Sequence, residues 1–167
     1  MSMDDNRIDN DRISRFEETG TKSDNMEYWM DLDDRLGSDF PAAMKILMSA
    51  TGVTQEELSE RLGMDKQTVF KLIHSHCPSI DQIAALCIAM KTPTLFFFRL
   101  AHLCGRTLTY SRHNEMLRMM IEQDDMTINK ANEMLQEAGF RPLTGDGSVN
   151  DIFDSYKVVP FSGTATF

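Results

Sequence analysis

The feature that most constrains the fold is the stretch of residues 53–73, which predicts two short helices separated by a glycine. Thr54, followed three residues later by Glu57, is a capping box, in which each side chain bonds the backbone N–H of the other residue. Gly63 follows the last apolar position, where a left-handed residue ends a helix without a Cβ clash. Asp65 is suited to cap the next helix. The spacing therefore predicts a helix, a tight turn and a second helix.

Each predicted helix has an apolar face and a polar face. The apolar positions at helical spacing are Leu58 and Leu62 in the first helix and Val69, Leu72 and Ile73 in the second. The opposite face of the second helix carries Lys66, Gln67, Phe70 and Lys71. Phe70 would meet either a thymine methyl group or the core. This layout is typical of a helix-turn-helix, whose second helix enters the major groove of DNA.

The polar side chains suit base edges and phosphates. Glutamine pairs with adenine N6 and N7, and lysine donates to guanine O6 and N7, so base contacts are predicted for Lys66, Gln67 and Lys71. Thr68 suits a thymine methyl or a phosphate. Gln55 begins the preceding helix, where free N–H groups and the helix dipole favour a phosphate.

Residues 44–103 resemble the Cro/repressor-like, Xre-type helix-turn-helix family, a five-helix domain of the lambda-repressor-like fold. The pieces that carry the resemblance are MKILMSATG from Met44, TQEELSERLG from Thr54, DKQTVFKLI from Asp65, SIDQIAALCIAMK from Ser79 and TLFFFRLAHL from Thr94. The chain departs from the family where residues 73–76, IHSH, replace the usual Glu-x-Gly ending of the recognition helix. This departure predicts another path for the following loop.

The resemblance implies a function and its partners. It places a recognition helix at residues 65–73 and gives base- or phosphate-facing positions to Lys66, Gln67, Thr68 and Lys71, with Gln55 as a phosphate contact. It implies double-stranded operator DNA as the ligand. It also implies a homodimer on two half-sites about one helical turn apart, or a multiple of that.

Charge is uneven along the chain. The net charge of −9 argues against a general nucleic-acid binder. Residues 1–39 hold 5 Lys or Arg and 12 Asp or Glu, whereas residues 40–105 hold 6 and 5, and residues 106–167 hold 6 and 9. The segment with the predicted helix-turn-helix is therefore the only one that is not acidic. The small excess of cations predicts weak non-specific binding with a strong dependence on salt.

Other classes of protein find little support. Three cysteines, an odd number, and the lack of a signal-peptide pattern predict a reducing, cytoplasmic setting. His74, His76 and Cys77 match no usual zinc spacing, so no metal or other cofactor is predicted. No apolar run approaches the roughly 18 residues of a membrane span. No nucleophile, base and orienting group occur in a recognisable context, so an enzyme is not predicted.

The acidic arm, residues 1–39, is predicted to be partly disordered, with a short helix near residues 25–36. The helix holds the only tryptophan, Trp29. It would either pack onto the main domain through Trp29, or serve as an acidic arm that contacts a partner or covers the recognition face. The first alternative is favoured because apolar stripes at helical spacing are most often core.

The predicted fifth helix contains Phe96, Phe97 and Phe98 in a row. Consecutive residues on a helix lie about 100° apart, so at least one ring should project outward. With Trp29, these rings are candidates for a dimer or partner interface, and the resemblance implies dimerisation through this helix. The alternative is that the arm or the C-terminal region of the same chain covers them.

Residues 106–144 are predicted to form a C-terminal helical hairpin, with helices at 114–123 and 127–138. Residues 118–135 align without gaps on residues 45–62, with Thr127 in the place of Thr54 and Leu135 in the place of Leu62. No basic recognition helix follows. Residues 145–167 are a tail in which residues 156–161 would add an edge strand, bind a groove on a partner, pack on the same chain, or stay disordered.

The sequence thus predicts an all-α chain: the acidic arm, the five-helix domain over residues 40–105, the hairpin and the tail. The leading functional hypothesis is a sequence-specific DNA-binding transcriptional regulator. The alternative is a protein-interaction module, such as an antitoxin, an inhibitor or a mobile-element accessory protein. Its partner would contact the acidic arm or the tail, or its acidic surface would imitate DNA.

Overall fold

The computed structural model describes residues 25–75 and 77–144. Predictions for the first part of the acidic arm, for His76 and for the tail lie outside these residues. The described part of the chain has eight helices and no strand, which confirms the all-α prediction. The helices are α1 Met26–Asp34, α2 Phe40–Thr51, α3 Gln55–Leu62, α4 Lys66–Ile73, α5 Ile80–Met90, α6 Thr94–Leu103, α7 Arg112–Glu122 and α8 Ile128–Glu137.

The local signals around the glycine turn act as the sequence predicts. Thr54 and Glu57 form the complete capping box at the start of α3. Gly63 ends α3 with a φ of 68°, a left-handed conformation in which L side chains are strained. The Asp65 carboxylate caps α4 by accepting a hydrogen bond of 2.7 Å from the backbone N–H of Thr68. Helices α2–α6 lie within residues 40–105.

Helix α5 is the centre of the packing. Residues 81–90 are all buried, as expected for a helix that is apolar on nearly every side. Helices α2 and α3, which precede α5 in the chain, and helices α6, α7 and α8, which follow it, all pack against α5. Their buried side chains belong to a single hydrophobic core. The C-terminal helices are therefore built onto the same core as the central domain.

Helix α1 is attached to α6 by an aromatic contact and an ion pair. The ring of Trp29, 2% exposed, meets the ring of Phe96 edge-on with centroids 5.6 Å apart. Arg99 donates two hydrogen bonds of 2.8 Å to the carboxylate of Asp33. The phenol of Tyr28 also donates to the backbone oxygen of Ala50, at the end of α2. These contacts correspond to the packing alternative for this segment.

The three consecutive phenylalanines separate into buried and exposed rings. Phe96 and Phe97 are 0% and 1% exposed, whereas Phe98 is 48% exposed. The outward projection of at least one ring is therefore found. The wider expectation that Trp29, Phe96 and Phe97 offer surface for a partner needs correction, because α1 and the core of the same chain cover them. Phe98 is the member of the set that reaches solvent.

The two C-terminal helices lie close to their predicted positions. The side chain of Thr127 caps α8 as that of Thr54 caps α3, and Leu135 is buried like Leu62. Helix α7 packs on α5 and α6, and α8 packs on α5. No helix in the described part of the chain has the length and apolarity to cross a membrane.

Candidate nucleic-acid interface

Helix α4 shows two opposite faces. Val69, Leu72 and Ile73 are buried against the core. The exposed face carries Lys66, Gln67, Phe70 and Lys71. The structure thus brings together on one helix the four side chains that the sequence assigned to its outer face. Phe70, with half of its surface in water, is not a core residue.

Lys66 is paired with a carboxylate from the preceding helix. Its Nζ lies 3.2 Å from Oε1 of Glu56, and both side chains are about two-thirds exposed, at 66% and 67%. An exposed pair of this kind is worth about 0–1 kcal/mol. A phosphate or a guanine edge can therefore compete with Glu56 for the ammonium group. Glu56 is a residue whose role the sequence pattern did not reveal.

Gln55 joins the starts of α3 and α4. Its Nε2 donates to the backbone oxygen of Lys66 at 3.1 Å. The amide has a second N–H, which remains suited to a phosphate. A second link closes the turn, since the Ser59 hydroxyl donates to the Met64 backbone oxygen. These two bonds fix the angle at which α4 leaves α3.

Thr68 is engaged by the cap of its own helix. Its hydroxyl donates to Oδ2 of Asp65 at 3.0 Å, while its N–H donates to Oδ1. Both bonds lower the pKa of Asp65, and the bond from the backbone N–H has the larger effect. The carboxylate is therefore ionised at neutral pH beside the exposed face. A phosphate contact from Thr68 requires its hydroxyl to turn away from Asp65.

Phe70 forms a stacked pair with His74, one turn further along. Their ring centroids are 4.1 Å apart with 30° between the planes. Nδ1 of His74 lies 2.8 Å from the backbone oxygen of Phe70, and because a carbonyl only accepts, Nδ1 carries the proton. A place for His74 on this surface was not predicted from the sequence. The spacing of four residues on a helix was the available signal.

Comparison with known proteins identifies this arrangement. A family model described as Helix-turn-helix matches residues 44–97, from within α2 to the first turn of α6. Residues 44–97 are a Cro/repressor-like helix-turn-helix domain of the Xre type. No curated protein and no solved structure matches the chain.

The helix-turn-helix domain type suggests a DNA-binding regulator, a class that is typically not enzymatic. In this type of domain the second helix of the motif, here α4, is the recognition helix. The exposed face of α4 is therefore the candidate nucleic-acid interface. The sequence-assigned DNA contacts that lie on it are Lys66, Gln67, Phe70 and Lys71, with Thr68 at its edge and Gln55 at the start of α3.

Helix α4 ends without a glycine. His74 follows it with a φ of −100°, in place of a left-handed residue. The loop between α4 and α5 is held in place by Arg106, which follows the end of α6. The guanidinium of Arg106 donates hydrogen bonds to the backbone oxygens of Cys77, at 3.0 Å, and of Pro78. Among residues 25–75 and 77–144, no group of His, Cys, Asp and Glu is arranged to hold a metal.

Proposed function

We propose that this protein is a sequence-specific DNA-binding transcriptional regulator that inserts α4 into the major groove of operator DNA. The observation that carries the proposal is the exposed face of α4, where Lys66, Gln67 and Lys71 extend into solvent from a helix capped and buried on its other side. Lys66, Gln67 and Lys71 contact base edges in this proposal. Gln55 and Thr68 contact phosphates.

In this proposal the protein binds DNA as a homodimer, because one protomer has little positive charge to contact phosphates. Phosphate contacts supply most of the non-specific affinity, and residues 40–105 have only one more cation than anions, with 6 Lys or Arg and 5 Asp or Glu. A second protomer doubles the contacts and places a second α4 about one helical turn away. Phe98, half exposed on α6, is the proposed dimer contact.

The free thiols of Cys77, Cys87 and Cys104 suit action in the cytoplasm.

The proposal is tested by selecting binding sites from a random duplex pool and measuring affinity by fluorescence anisotropy at several salt concentrations. We expect one enriched sequence with two related half-sites, and an affinity that falls steeply between about 50 and 200 mM salt. A pool that remains random after repeated selection at low salt would contradict the proposal.

The ion pair at Lys66 predicts a gain in affinity. In the unchanged protein, Nζ of Lys66 lies 3.2 Å from the carboxylate of Glu56. Replacing Glu56 by glutamine removes this negative charge beside α4 and frees the Lys66 ammonium group for DNA. We expect DNA affinity to rise about two- to fivefold at low salt, with a smaller rise at high salt. Glu133→Gln, an equal change at an exposed site on α8, is the control. An equal rise in both variants would show that total charge, not the pair, controls the affinity.

A protein-interaction module is the second candidate. It is favoured by the net charge of −9 and by the pairing of Lys66 with Glu56, which reduces the positive charge on α4. In that case a tagged chain recovers a stoichiometric protein from its host and shows no DNA affinity at low salt.

A further inference from the structure

We propose that the stacked pair of Phe70 and His74 recognises the methyl group of a thymine, so that each operator half-site contains a thymine facing this ring. The inference rests on the proposed function and deepens it, because it names a chemical feature of the DNA that α4 recognises. Phe70 is the contact residue. His74 is a positioning residue that acts through the Phe70 ring.

The position of Phe70 on the helix places it on the reading face. It follows Lys66 by four residues and Gln67 by three, so the three side chains lie on one side of α4. The residues beside it in sequence, Val69 on one side and Leu72 beyond Lys71, are buried. A helix that presents Lys66 and Gln67 to base edges therefore presents the Phe70 ring to the same groove.

The chemistry of the ring selects its contact. A phenyl ring has no hydrogen-bond donor or acceptor for the polar atoms that line most of the major groove. Thymine alone among the four bases offers an apolar group there, its C5 methyl. A polar base edge placed against the ring would lose water without gaining a hydrogen bond. Phe70 thus favours thymine and disfavours the alternatives.

The contact with His74 prepares the ring for this role. The imidazole lies 4.1 Å from the phenyl centroid and is itself fixed through its 2.8 Å bond to the Phe70 backbone oxygen. A side chain that is already held in one orientation loses less conformational freedom on binding. The 50% of Phe70 that remains exposed is the surface left for the methyl group.

The test uses duplexes of the selected operator in which single thymines are replaced by uracil. This change removes the methyl group and leaves every hydrogen-bonding atom and the base pairing in place. For the unchanged protein we expect one position in each half-site at which uracil lowers affinity about fourfold, as for one buried methyl-sized group. In the Phe70→Ala variant the same replacement should have no effect.

A matched variant and several outcomes make the test decisive. Tyr110→Ala removes another exposed aromatic ring, 90% exposed and located between α6 and α7, and should leave the thymine-to-uracil ratio unchanged. A uracil effect that persists in Phe70→Ala, or no effect at any thymine, overturns the inference while operator binding stands. Failure to select any DNA overturns both proposals. A third outcome is that Phe70→Ala leaves DNA affinity unchanged but no longer recovers a protein that the tagged unchanged chain recovers from its host. This surface would then be a protein-docking site, and the inference would be overturned.

The positioning role of His74 has its own readout. His74→Ala should lower the thymine-to-uracil ratio, because the Phe70 ring loses its support. His74→Phe should restore most of the ratio, because a phenyl ring at this position can still stack on Phe70 although the bond to the Phe70 backbone oxygen is lost. A purely structural role would change the melting temperature of the protein and leave the ratio as it is, which would contradict the assignment.

Discussion

Replacing Lys66 and Gln67 together by alanine is expected to abolish operator preference and leave only weak, salt-sensitive binding. Both side chains are exposed on α4, and neither belongs to the core, so the fold should persist. A good side-chain contact to a base edge is worth about 1–3 kcal/mol of discrimination. Losing two should therefore lower the ratio of operator to random-sequence affinity by about 30-fold or more in each half-site. Anisotropy titrations with operator and scrambled duplexes measure this ratio.

The matched control is Lys130→Ala with Gln136→Ala, which removes the same two side-chain types from exposed sites on α8. It should keep the ratio within about twofold of the starting protein. Circular dichroism of both double variants confirms that the helices remain. If the double variant on α4 keeps full preference for the operator, the assignment of Lys66 and Gln67 as reading residues is wrong.

Replacing Trp29 by alanine is expected to cause a large loss of stability. The indole is 2% exposed and packs edge-on against the rings of Phe96 and Tyr28, with centroids 5.6 and 5.1 Å away. Removing a buried aromatic side chain costs about 3–5 kcal/mol, because the apolar contacts are lost and a cavity remains. Urea denaturation followed by circular dichroism should show a lower midpoint, and the detachment of α1 from α6 would also lower the slope.

Met30→Ala is the control for Trp29→Ala. Met30 is the next residue in the same helix but is 53% exposed, so its loss should change the free energy of unfolding by no more than about 0.5 kcal/mol. Equal, small effects in the two variants would mean that α1 does not pack on the domain. A large effect of Trp29→Ala alone identifies α1 as part of the folded unit.

The turn between α3 and α4 was predictable because its determinants are close together in sequence. Thr54 and Glu57 are three residues apart, as are Asp65 and Thr68, and Gly63 follows directly on the helix that it ends. Such contacts form within one turn of a helix and hardly depend on the rest of the fold. The start of α8 was predictable for a similar reason, since Thr127 caps it as Thr54 caps α3.

The contacts between distant segments were not predictable from the sequence. Asp33 and Arg99 are 66 residues apart, and their pairing depends on how α1 crosses α6. The pairing of Glu56 with Lys66 depends on the angle between α3 and α4. The row of phenylalanines indicated that one ring would be exposed, but which one depends on the neighbours of α6. Helical periodicity identifies a face and does not identify what covers it.

The burial of residues 81–90 in α5 also has a practical consequence for anyone who isolates the helix-turn-helix domain. The family match spans residues 44–97, yet α5 is covered in part by α7 and α8, and Phe96 is covered by Trp29. A fragment trimmed to residues 44–97 would open these apolar surfaces to water and favour aggregation. Spectroscopy or crystallisation of a shortened chain should therefore start from residues 25–144, which retain the described helices that pack on α5 and the Trp29 ring that covers Phe96.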